Sequence, residues 1–293
     1  MAIRSTRIAR LLRHGAAFAL IGASFIAATT PCGAQDRRIV ALGGAITEIL
    51  YALGQQDRIV AVDTTSLYPP EALKTKPNVG YFRALSAEGI LSVRPTLVVA
   101  VDGSGPPAAL AALEQARVPV ERAPDTPSPE GVATKIRAVG RAVQAEALAD
   151  KLADDVARRF ERLAGARAAI TDRKRVLFIL SMQNGRAIVG GRGTAADAMI
   201  ELAGGLNAAA DLQGYKPMTD EALLAAAPDA VVMMDLGPDA KGEDIFSRPA
   251  LASSPAARSH ALISMNGLYL LGFGPRSPEA ARELMARLYP TQN

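Results

Sequence analysis

Residues 130–169 read EGVATKIRAVGRAVQAEALADKLADDVARRFERLAGARAA, and this stretch decides the fold. It contains no proline, and its apolar residues Val132, Ile136, Val139, Val143, Leu148, Leu152, Val156, Phe160 and Leu163 recur at helical spacing. Charges fill the other positions, so the pattern predicts one long helix, or two in near succession; Gly140 is tolerated within it, although a glycine also allows a break there. On either side the texture is different. Short β-branched runs at 38–42, 58–62, 96–101, 175–180 and 230–234 alternate with helical segments. Such alternation predicts mainly parallel sheets covered on both faces. The helical stretch then reads as a rigid spine between two α/β lobes. Asn266-Gly267 lies between the apolar runs 262–264 and 269–271 and predicts a hairpin-like turn there.

The two halves share a register. Ser86, Glu88, Ile90, Leu91, Pro95, Val98 and Val99 match Thr219, Glu221, Leu223, Leu224, Pro228, Val231 and Val232, each offset by 133 residues. Upstream, Gly80-Tyr81 is echoed by Gly214-Tyr215, and Arg83 falls near Lys216. This is the signature of a duplicated unit. Two similar lobes on a spine imply a cleft, and in open α/β sheets ligands sit beyond the carboxyl ends of the strands.

Composition narrows the function classes. Arg4, Arg7, Arg10 and Arg13 precede an apolar run from 16 to 28, and Cys32-Gly33-Ala34 is a small-residue cleavage site. Residues 1–34 therefore read as a signal peptide, cleaved after Ala34, with the periplasm as destination. Pro31 before Cys32 argues against lipidation of that cysteine. The segment carries four arginines and no acid, so the formal charge of +4 falls to zero without it. Nucleic-acid binding loses its support. The only cysteine leaves with the segment, and of two histidines only His260 remains. No Ser/His/Asp or Cys/His set is left for a hydrolase, and a zinc or manganese carrier would want more histidine. The expected organisation is a signal at 1–34, a first lobe at 35–128, a linker helix at 129–170 and a second lobe at 171–293.

A chain so poor in histidine and cysteine has few ways to hold a metal. Tyr81 and Arg83 stand two apart, just before a helix starting near Ser86. A phenol beside a guanidinium suits a hard, oxidised metal such as ferric iron, because both cations favour the phenolate. The alternative is that Tyr81 packs under a loop and Arg83 is solvated. At spacing two, the pair is expected to share a strand-like face.

Four motifs carry a family likeness. Val79-Gly80-Tyr81-Phe82-Arg83-Ala84-Leu85-Ser86-Ala87-Glu88-Gly89, Gly191-Arg192-Gly193-Thr194-Ala195-Ala196-Asp197, Gly214-Tyr215-Lys216-Pro217 and Leu271-Gly272-Phe273-Gly274-Pro275-Arg276 resemble segments of the haem-binding periplasmic proteins of bacterial haem-uptake ABC transporters. The resemblance runs in order along the chain after the signal. It implies a non-enzymatic carrier with two Rossmann-like lobes joined by a long rigid helix. It implies ferric haem b as the transported ligand, with Tyr81 as axial ligand to the iron, a ligand type known for haem. Arg83, Tyr215, Arg248, Arg192 and Met182 are the candidate haem contacts, the arginines as partners for propionates. Met182 is a soft thioether and a weak candidate for ferric iron. Arg276 is expected to fix a loop. Glu88 and Glu221 would dock the two lobes onto a dimeric ABC permease with its ATPase, and each also complements a helix N-terminus. A monomer is expected. No histidine occurs in 181–185, so a single five-coordinate haem is the expectation.

Two rival readings remain. A carrier of cobalamin or a ferric siderophore would share the fold. Gly191-x-Gly193-x-x-Ala196 also mimics a dinucleotide fingerprint, the mark of an oxidoreductase. No acidic residue at a strand end follows it at the required distance of about 20 residues.

Overall fold

The computed structural model describes residues 37–235 and 245–290; the expected signal segment lies outside them. The first lobe runs β1 (Ile39–Leu42), α1 (Gly44–Ala52), β2 (Ile59–Val62), α2 (Glu71–Thr75), α3 (Ala87–Ser92), β3 (Leu97–Val101), α4 (Pro107–Gln115) and β4 (Val120–Ala123). Its sheet has the order β2-β1-β3-β4, and every pairing is parallel. Successive side chains serve opposite faces, as the strand period requires. Ile39 and Ala41 join one apolar cluster, while Val40 and Leu42 join another under α3 and α4.

The proline-free stretch forms two helices, α5 (Pro129–Val143) and α6 (Glu146–Ala168). They separate at Gln144, which takes the left-handed conformation (φ 59°) and closes α5. Gly140 is not the break. A Cβ there would come within 2.2 Å of the Ala149 Cβ, so the glycine is where the two helices touch. Arg137 on α5 bridges both Asp150 and Asp154 on α6, which makes the pair an antiparallel hairpin. Val132, Ile136, Val139, Val156, Phe160 and Leu163 sink into the core that the hairpin shares with both sheets.

The second lobe continues β5 (Arg175–Gln183), β6 (Arg186–Gly190), α7 (Ala195–Leu202), β7 (Leu206–Asn207), β8 (Tyr215–Met218), α8 (Asp220–Ala226), β9 (Ala230–Asp235), α9 (Pro249–Ala252), α10 (Pro255–Arg258), β10 (Leu262–Asn266), α11 (Gly267–Leu271) and α12 (Ser277–Leu288). Its sheet order is β10-β9-β5-β6-β8, with β7 also paired to β5. β10, β9, β5 and β7 are parallel, whereas β6 is antiparallel to both its neighbours, β5 and β8. The hairpin expected at Asn266-Gly267 does not form. Asn266 ends β10 and caps α11, its side chain accepting the Tyr269 N–H at 3.0 Å. Residues 269–271 are thus helical, because asparagine is a strong N-cap. Gly267 answers to space: a Cβ would meet Met234 Sδ at 2.9 Å.

The duplication extends to the backbone. Ser86 and Thr219 cap α3 and α8 through their hydroxyls. Arg94 and Ala227, again 133 apart, both take positive φ (47° and 39°) before Pro95 and Pro228. Non-glycine residues rarely adopt that conformation.

The lobes are also pinned directly. Lys135 on α5, fully buried, donates to Asp125 at 2.6 Å and to the Phe273 carbonyl at 3.1 Å. Arg159 on α6 bridges Glu279 on α12 at 3.0 Å. Arg276, just before α12, bridges Glu48 on α1. Among the described residues no helix is long and apolar enough to cross a membrane.

Candidate functional site

The segment carrying Tyr81 lies against the carboxyl end of β2. Val79 N–H donates to the Val62 carbonyl at 2.9 Å and Thr64 N–H to the Gly80 carbonyl at 2.9 Å. Gly80 has φ 95° with nothing within 4 Å of an added Cβ, so the backbone conformation, not crowding, demands glycine. Residues 81–84 form a turn closed by Ala84 N–H to the Tyr81 carbonyl at 2.8 Å. Tyr81 and Arg83 therefore do not share a strand-like face. Phe82 stands between them, its ring edge-to-face with Tyr81 at 4.9 Å and beneath the Arg83 guanidinium at 4.9 Å. The Tyr81 side chain is open to an incoming ligand, the residue being 42% exposed.

Tyr215 opens β8, opposite Gly190 at the end of β6. Its ring meets buried Phe178 edge-on at 6.5 Å. Burial pushes the Tyr215 phenol above its ordinary pKa. The Ala196 backbone, the Thr194 hydroxyl and the charge of Arg83 oppose that shift. Arg83 belongs to the first lobe and Tyr215 to the second, so the two are electrostatic neighbours across the lobes. Gly214 repeats the left-handed glycine of Gly80, with φ 74°. The echo is partial, since Tyr81 enters a turn and Tyr215 enters a strand.

Arg192 is tied to the Tyr215 loop by its backbone, which donates to the Leu212 carbonyl at 2.8 Å and accepts from Gly214 N–H at 3.0 Å. Its side chain is exposed. The dinucleotide-like sequence around it serves another purpose. The preceding strand, β6, is antiparallel to β5, so no βαβ unit exists. The Asp197 carboxylate already accepts the Gly193 N–H at 3.0 Å and the Asn207 amide at 2.8 Å, where a pyrophosphate would have to go. Gly191 allows the close approach of the Leu212 carbonyl, 2.3 Å from an added Cβ.

Met182 and Arg248 sit together at the β5–β6 hairpin. Met182 packs, partly buried, on the apolar cluster around Leu177 and Ile179. Arg248 caps α9 with its backbone, while its side chain donates to the Gly185 carbonyl at the hairpin tip. Arg276, as expected, fixes a loop, but one between lobes. Glu88 and Glu221 are exposed in the first turns of α3 and α8. The Glu221 carboxyl is held below its usual range by its own N–H and the Thr219 hydroxyl. Two concavities lie apart from all these residues. One, about 280 Å³, is lined by Pro127, Phe160, Leu163 and Glu201; the other, about 470 Å³, by Asp172, Lys174, Asp229 and Arg258.

Sequence reasoning missed three contributors: Phe82, Glu48 and Lys135. Phe82 was legible as an aromatic residue flanked by phenol and guanidinium. Glu48 and Lys135 carried no local signal for their role between lobes, because their second-lobe partners are more than 130 residues away.

Two α/β lobes on a helical hairpin, with facing loops of opposite lobes, define a two-lobed binding protein. The chain belongs to the periplasmic binding protein family, whose model matches residues 39–267. It is similar to the periplasmic haem-binding protein RhuT from Roseiflexus sp. RS-1, 41% identical with TM-score 0.82, the match covering 86% of this chain and 98% of that one. The haem-binding protein BhuT, solved with two haems, matches at 41% identity and TM-score 0.82, over 86% of this chain and 97% of its own. An ABC transporter substrate-binding lipoprotein of uncharacterised function from Bacillus subtilis (strain 168), YvrC, is 30% identical over 87% of this chain and 81% of its own length.

Proposed function

We propose that this protein captures ferric haem in the cleft between its lobes and delivers it to an ABC permease of the inner membrane. The observation that carries this reading is the turn at 81–84, which presents an exposed phenol beside a guanidinium whose charge reaches Tyr215 of the other lobe. Likeness to RhuT and BhuT supports haem as the cargo, and likeness to YvrC supports the transporter. In this reading Tyr81 ligates the iron as phenolate, a hard donor that prefers the ferric state. Arg83 and Arg192 offer guanidinium groups to propionates. Tyr215, hydrogen-bonding and partly apolar, contacts the porphyrin. Arg248 and Met182 hold the hairpin that borders the cleft. Glu88 and Glu221 meet the permease, and the protein works in the periplasm after residues 1–34 are removed.

Titration of the purified protein with haemin, followed by its absorption spectrum, tests the cargo. A saturable ferric high-spin spectrum that is lost in Tyr81→Ala is expected. Its end point counts the haems. Tight binding of cobalamin with no haemin response would overturn the reading in favour of the rival carrier of the same fold.

A further inference from the structure

We infer that Phe82 is a positioning residue of this site: its ring sets the attitude of the Tyr81 phenol on one side and carries the Arg83 guanidinium on the other. The inference rests on the reading of Tyr81 as the iron ligand. Three observations support it. The Phe82 ring is the shared neighbour, with the Tyr81 ring at 4.9 Å and an interplanar angle of 69°, and the Arg83 guanidinium at 4.9 Å over its face. Edge-to-face rings and a cation over a π-face are both attractive, so the three side chains form one stack with a preferred order.

The ring is also anchored where its neighbours are not. Phe82 is partly buried and packs against both the core shared by the lobes and the smaller apolar cluster of the first lobe, whereas Tyr81 and Arg83 are exposed. Its backbone is fixed as well: the Phe82 carbonyl accepts from Gly105 N–H at 2.9 Å, and the Gly105 carbonyl accepts from Leu85 N–H at 2.9 Å. This two-bond tie joins the turn to the loop beyond β3. An exposed phenol and an exposed guanidinium on a turn would otherwise sample several rotamers, and each would lose that freedom on binding. A fixed aromatic ring between them bears part of that cost before the ligand arrives.

The guanidinium that the Phe82 ring carries is also felt at Tyr215, on the other lobe.

The test compares wild type, Phe82→Leu, Phe82→Tyr and Tyr81→Ala. Leucine keeps the apolar packing and removes the ring; tyrosine keeps the ring. Three quantities are read: the melting temperature, the rate of haem transfer to excess apomyoglobin, and, in the haem-free protein, the side-chain NMR resonances of Tyr81 and Arg83. Phe82→Leu should release haem about ten-fold faster, with Phe82→Tyr within about two-fold of wild type. Leucine should also shift the Tyr81 and Arg83 resonances while the melting temperature changes little. Equal release rates and unmoved resonances in Phe82→Leu would overturn the inference while leaving haem binding intact. If leucine fails to fold, Phe82→Met, a flexible filler of the same space, takes its place. A wild type that binds no haemin, or a Tyr81→Ala variant that binds it unchanged, would instead overturn the reading on which the inference stands.

Discussion

Arg276 of the second lobe donates to both oxygens of the Glu48 carboxylate of the first, from its backbone N–H at 3.1 Å and from Nη2 at 2.9 Å. Glu48 is only 5% exposed, and the guanidinium is further held over the Tyr68 ring at 3.4 Å and near Tyr269 at 5.1 Å. Gly274, whose added Cβ would lie 3.4 Å from that carboxylate, gives it room. A motif that reads in sequence as a loop ahead of the last helix is thus a joint between lobes.

Breaking that joint from the arginine side leaves a buried charge without its partner. Arg276→Leu should destabilise the fold by about 3 kcal/mol, since orphaning a buried ion costs more than the pair contributes. Glu48→Gln, which removes the charge but keeps a hydrogen-bonding shape, should cost only about 1–2 kcal/mol. Urea unfolding of the two variants checks the order. Equal losses would mean that the pair acts through packing rather than charge.

Gly140→Ala should loosen the helix hairpin. The new methyl group would fall 2.2 Å from the Ala149 Cβ, a clash that forces α5 and α6 apart at a cost of about 1–3 kcal/mol. Ala149→Gly should recover part of the loss in the double variant, because the two positions are in contact. Thermal melts of the two single variants and the double variant measure the coupling.

The Tyr215 phenol predicts a loss of stability at high pH. Burial holds its folded-state pKa above the unfolded value, so the folded chain keeps the proton that the unfolded chain releases. The contribution is fully present below about pH 10, the unfolded value, and is lost as pH rises from there through the folded value. Tyr215→Phe should flatten the decline. Denaturant midpoints measured from pH 8 to 11 test it, with unchanged slopes in both proteins counting against a raised phenol pKa.

Glu88→Lys with Glu221→Lys should abolish haem-dependent growth of a strain relying on this carrier while leaving haemin binding within about two-fold of wild type. Both carboxylates are exposed on helices that follow the cleft-side loops, so charge reversal is expected to act on a partner and not on the cargo. Normal growth with both reversals would remove docking from their roles.

Local chemistry accounts for what could be read from the sequence. The continuous apolar runs of β1, β3, β5 and β9 and the helical stripe of α5 and α6 are written in adjacent residues, and so are the Ser86 and Thr219 caps. The repeat was legible because proline and capping residues sit at fixed offsets. The 81–84 turn was misread as extended because a phenol and a guanidinium two apart fit either geometry. Only the closing bond from Ala84 to Tyr81 decides between them. At Asn266 the sequence supports both a turn and a cap, and the packing of Gly267 against Met234 favours the cap. The reversed β6 and its pairing with β8 depend on contacts that no local pattern encodes.

The three pins that hold the second lobe to the first lobe and the helix hairpin share a property in chain order. Glu48, Lys135 and Arg159 all wait for partners within residues 273–279. Synthesis runs from the amino end, so both sheets and the helix hairpin can be complete before any pin has its other half. The angle between the lobes is consequently among the last features to be set. The stretch from residue 273 onward also places Phe273, Ala280, Leu284 and Leu288 in the shared core, so a cleft whose strands are all made earlier takes its aperture from the closing stretch of the chain.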